Sequence, residues 1–213
     1  MSVPNPAVLR QKLDSYVQNT LKLPKDSFTF VNSYRTASMR LTHFYLQQRI
    51  DGLDVSNGQI NINIRDNGEI KPNYNTFAKS DAPIRHWNIA GNAATTPSSV
   101  TFISARKALN AFADKAKLSL SKSIQIHEVS TPKSGESTPE PTDLSSFDLP
   151  SLDAFNDEKE EVSAQRTYLI LKDGSVAPTW SLDVQLPRKH YQVHVDAMTG
   201  DVLQTSDLVS NGF

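Results

Sequence analysis

The chain has 213 residues, 38% of them hydrophobic and 21% charged, enough for one large domain or two small ones that each bury a core. A formal charge of -1 supplies no global field for nucleic acid or an anionic membrane, and no local basic patch stands in for one. No window reaches the run of about eighteen apolar residues that a membrane span needs, and with no cysteine the chain has no disulfide, thiol nucleophile or thiolate metal ligand.

The first twenty residues lack the apolar core of a secretory signal, because Arg10, Gln11, Lys12 and Asp14 interrupt them. Either the protein is intracellular or its start lies further upstream. Asn5 followed by Pro6 reads as a helix cap with proline at the first helical position. Leu9, Leu13, Tyr16, Val17, Thr20 and Leu21 then recur at helical spacing, which predicts a helix over about 6–21, stopped near Pro24.

From Phe28 the period changes to two, through FTFVNSY, LTHFYLQQRI and the alternation of Ile60, Ile62 and Ile64 with Asn61, Asn63 and Arg65. Asp51-Gly52, Asn57-Gly58 and Asn67-Gly68 punctuate these runs, and Asn-Gly between alternating segments predicts hairpin turns. The three isoleucines are expected to cover the helix, with Gly52 and Gly58 supplying backbone freedom. Residues 72–98 show no sustained period and read as a connection holding at most a short strand.

Ala105, Ala108, Leu109, Phe112 and Ala116 share one stripe of a second helix, over about 100–117. Residues 131–163 contain nine acidic residues, two lysines and four prolines, a local charge of -7 that leaves about +6 on the remainder. This composition predicts a flexible acidic insert. After it come RTYLIL, the turn KDGS, the strand TWSLDVQL and the run YQVHVDAMTGDVL, in which Tyr191, Val193 and Val195 alternate with His190, Gln192, His194 and Asp196. The plan of the first half, helix then sheet, is repeated. The expected fold is α+β with two lobes, each an antiparallel curved sheet packed on one helix.

Catalytic patterns are missing. No H-E-x-x-H occurs, and His190 and His194, though spaced i, i+4, lie on a strand about 13 Å apart, too far to share one metal. No G-x-S-x-G elbow and no Gly-rich phosphate loop is present.

The stretch THFYLQQRIDGLDVSNGQININIRDNGEI resembles the signature of the FTP module, the fungalysin/thermolysin-type propeptide. The positions that carry the resemblance are Thr42, His43, Tyr45, Gln47, Gly52, Val55, Asn57, Asn61, Asn63, Asp66 and Gly68. YLILKDGSVAPTWSLDV and YQVHVDAMTGDVL are similar to the PepSY-like second lobe of the same prosegments, and the ending SDLVSNGF is similar to the stretch before the mature enzyme in fungalysins. This resemblance implies a cystatin-like and PepSY-like pair of lobes: an FTP-type lobe over 1–80, a connector with the second helix over 81–128, the acidic insert over 129–163, and a PepSY-like sheet with its tail over 164–213.

It further implies a non-catalytic propeptide, inhibitor and folding chaperone of a fungalysin-like extracellular metallopeptidase. The chain itself would bind no cofactor, and zinc would belong to the partner peptidase domain, joined in cis or met in trans. Secretion follows from the resemblance alone. The peptidase-contacting candidates are the polar strand residues Gln47, Asn61 and Asn63 and the tail residues Asp207, Leu208, Val209 and Ser210. A carboxylate or imidazole such as Asp207 or His190 could reach the partner's zinc. Alternative readings are a stand-alone inhibitor or binding module acting in trans, and a structural relic of a truncated metallopeptidase gene.

Overall fold

The computed structural model describes residues 5–85, 102–121, 124–130 and 160–209. The fold is α+β and mostly sheet, with two helices among the described residues. The chain divides into two compact units, one ending at Lys79 and one beginning at Ser80.

In the first unit, helix α1 (Pro6–Asn19) begins as the sequence predicts: Asn5 Oδ1 accepts from Ala7 N at 2.8 Å, and Pro6 takes the first helical turn. The helix closes before Leu21, because Lys22 turns to φ 54°. Strands β1 (Phe28–Thr36), β2 (Leu41–Ile50), β3 (Leu53–Arg65) and β4 (Ile70–Asn75) pair antiparallel in chain order. Leu9, Leu13 and Val17 of α1 pack on Phe44, Leu46, Ile60, Ile62 and Ile64, all buried. The isoleucine alternation therefore covers the helix as expected.

The three punctuating dipeptides have different fates. Asp51 and Gly52, at φ 50° and 80°, form the two-residue turn between β2 and β3. Asn67-Gly68 turns β3 into β4, with Gly68 at φ 86°. Asn57-Gly58 makes no hairpin and lies inside β3. Gly58 is small for a steric reason: a Cβ there would meet Gln48 Oε1 at 2.8 Å, Gln48 Cβ at 3.0 Å and Val55 Cβ at 3.1 Å.

In the second unit, α2 (Ala105–Ala116) is capped by Ser104, whose side chain accepts from Lys107 N at 3.2 Å, and closed by Lys117 at φ 52°. Strands β5 (Gln125–Val129), β6 (Glu161–Ile170), β7 (Val176–Leu186), β8 (Lys189–Asp196) and β9 (Val202–Asp207) lie side by side in that order. The expected purely antiparallel sheet is corrected here. β5 runs parallel to β6, which the long connection between Val129 and Glu161 permits. β6 begins inside the range read as acidic insert, and its Val162 is fully buried. Ala105, Ala108, Leu109 and Phe112 of α2 pack on Trp180, Leu182, Val184, Val193 and Val195. Trp180 satisfies its one polar atom by donating to Ile103 O at 2.8 Å.

Candidate partner-binding surfaces

The face of the first sheet turned away from α1 follows from strand alternation. Across β1, β2 and β3 it sets Tyr34 beside His43 and Asn63, and in the next row Asn32 beside Tyr45 and Asn61. Tyr34 stacks on His43 at 4.5 Å between ring centroids and shares a hydroxyl contact of 3.2 Å with Tyr45. His43 Nε2 lies 3.1 Å from Thr36 Oγ1. The hydrogen bond with Tyr34, helped by burial, pushes the Tyr45 phenol up to about 12, so it stays neutral and able to donate. Across β1 to β3 the face is therefore aromatic and amide-rich, and Lys71 of β4 stands beside Asn63 at its margin, a composition common where proteins meet.

The three polar residues expected to present themselves here behave differently. Gln47 points inward to its own unit: its Nε2 donates to Gly58 O at 2.9 Å and to Val55 O, and its Oε1 accepts from Gln59 Nε2 at 3.2 Å. It fixes the irregular start of β3. Asn61 is only 1% exposed and donates to Phe44 O at 3.3 Å, so it supports the sheet more than it faces solvent. Asn63 is half-buried, and its Oδ1, like that of Asn61, is shielded from solvent without a partner. Of the three, Asn63 is the one neither engaged as Gln47 is nor buried as Asn61 is.

Gln48 is the residue that sequence reading passes over. Its Oε1 accepts from Ala78 N at 2.7 Å and its Nε2 donates to Ala78 O at 3.1 Å, so one buried side chain replaces a pair of ladder bonds. A polar residue two positions beyond the core residue Leu46, where alternation calls for an apolar one, is the signal that could have marked it.

Most of the described tail is part of the sheet. Gln204, Thr205, Ser206 and Asp207 pair with His194, Val193, Gln192 and Tyr191 within the sheet, and Leu208 N donates to His190 O at 2.7 Å. Asp207 Oδ1 accepts from Val209 N at 3.0 Å, an Asx turn that closes the strand. Leu208 is 48% exposed, and Ser210 lies outside the described residues.

Neither histidine on β8 stands ready as a ligand. His190 Nε2 sits 3.0 Å from both carboxylate oxygens of Asp183, and His194 is buried with Nδ1 unpartnered, its pKa lowered to about 4 by desolvation. Among the described residues, no three His, Asp or Glu side chains converge as a metal site requires, and no helix is long and apolar enough to cross a membrane.

Residues 26–72, which span β1 to the start of β4, match the family described as Fungalysin/Thermolysin Propeptide Motif. The chain carries the fungalysin/thermolysin propeptide motif. Over most of its length it is also similar to fungal extracellular metalloproteinases. It is 27% identical to extracellular metalloproteinase mep of Aspergillus flavus over 202 residues, 92% of this chain and 28% of that protein. It is 24% identical to extracellular metalloproteinase 5 of Arthroderma otae over 219 residues, 99% of this chain and 30% of the relative. With extracellular metalloproteinase 10 of Coccidioides posadasii the identity is 26%, over 92% and 28% of the two chains. The chain thus spans less than a third of the length of these relatives. What it matches is their propeptide portion and not their catalytic domain. Among solved structures, the Bacillus megaterium YpeB C-terminal domain aligns over 99% of this chain and 68% of its own, at 8% identity and a TM-score of 0.38, too distant for an argument.

Proposed function

We propose that this propeptide region restrains a fungalysin-like extracellular metallopeptidase and assists its folding, without catalytic chemistry of its own. The observation that supports this most is the propeptide motif lying on an intact helix-backed sheet, within a similarity to secreted metalloproteinases that runs along nearly the whole chain. In this reading the first unit is the cystatin-like FTP lobe and the second the PepSY-like lobe. A rigid surface that binds the native-like peptidase better than its unfolded form stabilises it by mass action, and the same surface obstructs substrate. Zinc belongs to the peptidase, met in cis or in trans.

The contact residues we assign are Asn63 on the aromatic face, backed by Gln47 and Asn61, and Asp207, Leu208, Val209 and Ser210 in the tail. The test is titration of the purified chain against a mature fungalysin-type catalytic domain, following peptide hydrolysis. Tight inhibition that weakens on removal of residues 208–213, which leaves β9 whole, is the expected result. A folded chain that leaves hydrolysis untouched at micromolar concentration would refute the inhibitor role for that peptidase.

A further inference from the structure

The strand that carries the tail has one side without a partner. β9 is the last strand of its sheet, and among the described residues only β8 pairs with it. Its register fixes which main-chain groups face outward. Because Leu208 N donates to His190 O, the pairs His190/Leu208, Gln192/Ser206 and His194/Gln204 are the hydrogen-bonded ones, and Tyr191/Asp207 and Val193/Thr205 are not. The N–H and C=O groups of Thr205 and Asp207 therefore point away from the sheet, on two exposed residues.

Edges of this kind invite pairing, and proteins usually blunt them. The other terminal strands of the two units do so: β1 is broken by a register shift at Val31, β4 carries Pro72, and β5 is only five residues long and bears Glu128. Past the shift beside Val202, the run Gln204–Asp207 has no proline, no lysine and no further irregularity. Position also favours one occupant. The described chain passes out at Val209, directly off this strand, and the metalloproteinase relatives are more than three times as long as the part that matches. A peptidase domain joined beyond this strand would meet the edge at the high effective concentration of a short tether.

We propose that the open edge of β9 is the docking element for the peptidase domain, which adds one extended segment to it as a further strand through the main chain of Thr205 and Asp207. This rests on the propeptide reading and deepens it: the backbone of β9, more than the side chains of the tail, makes the contact. The added strand is short, because Asp207 already holds the N–H of Val209.

The test uses the full chain and a fungalysin-type catalytic domain. Thr205→Pro removes an outward N–H without breaking a bond to β8, and Thr205→Ala removes the side chain but keeps the N–H. With folding checked by urea midpoint, the proline variant should inhibit about tenfold more weakly, the weight of one main-chain hydrogen bond, and the alanine variant like the parent. Hydrogen exchange on the unmodified chain supplies a readout independent of folding defects: Thr205 and Asp207 amides should slow in the complex. Equal inhibition by both variants, or unchanged exchange at both amides in a formed complex, overturns the edge proposal and leaves the propeptide reading standing. A parent chain that neither binds nor inhibits overturns both. Slowed exchange that appears with the chain alone at raised concentration, alongside a dimer in sedimentation, overturns the peptidase as occupant in favour of a second copy.

Discussion

Acid should destabilise this protein through His194, and the size of the effect follows from its surroundings. The imidazole is 4% exposed, its Nδ1 has no partner, and the neighbours across the sheet on its face are Ser181 and Gln204, neither charged. Asp196 follows two residues along the same face, but its Oδ1 already accepts from Met198 N and Thr199 N at 2.9 Å. Burial lowers the folded pKa to about 4 from an ordinary 6.5. Above pH 6.5 both folded and unfolded chains hold the ring neutral, and His194 contributes no pH dependence. Between 6.5 and 4 the unfolded chain binds a proton that the folded one refuses, so stability falls as pH falls; below 4 both bind it and the slope ends. At 1.36 kcal/mol per pKa unit the loss is about 3 kcal/mol. Urea unfolding at several pH values from 7 to 4, for the parent chain and for His194→Gln, isolates this contribution, since the carboxylates affect both alike. The parent should lose about 3 kcal/mol more than the variant across that window. Parallel stability curves would refute the claim that the folded state holds this imidazole neutral.

Four further outcomes follow from other sites. Phe112→Ala opens a cavity between α2 and the second sheet, where Phe112 is 1% exposed, and should cost about 3–5 kcal/mol by urea denaturation. Gln48→Ala strands both backbone groups of Ala78 and should cost about 2 kcal/mol, with faster hydrogen exchange at Ala78 as its signature. Gly68→Ala forces a side chain into φ 86°, for a loss of about 1–2 kcal/mol in thermal or urea unfolding. In a spectrophotometric titration one phenol should resist ionisation until about pH 12, and Tyr45→Phe should remove that step.

The elements with a strong period were legible from sequence. The α1 stripe, the three isoleucines and the strand around Trp180 all bury the faces that alternation assigns, because one face of each had to leave water. Turn chemistry was legible only where the glycine needs a positive φ. Asn57-Gly58 has the letters of a hairpin but serves close packing against Gln48, a nonlocal contact that no dipeptide reports. The parallel β5 was missed because five residues without alternation reveal little, and its partner lies far along the chain. At the candidate surface, alternation placed Asn61 and Asn63 on the outer face but could not tell which was covered. That depends on neighbouring strands, as does the engagement of Gln47 with Gly58. The tail's entry into β9 is also a pairing fact, invisible until β8 is beside it.

The pair of bonds from Gln48 to Ala78 has a dynamic consequence. After β4 ends at Asn75, Thr76 still bonds Gln59, its N donating to Gln59 O and its Oγ1 accepting from Gln59 N, both at 2.8 Å, and beyond it Ala78 is held by the amide of Gln48. A latch of this kind opens in one event: rotation of a single side chain frees Ala78, while a strand must be unzipped pair by pair. The local opening free energy at Ala78 should then be about 2 kcal/mol, well below that of the sheet. Exposed Lys79 follows immediately, so transient fraying of Ala78 opens a site for a trypsin-like protease here with both helix-backed cores still folded.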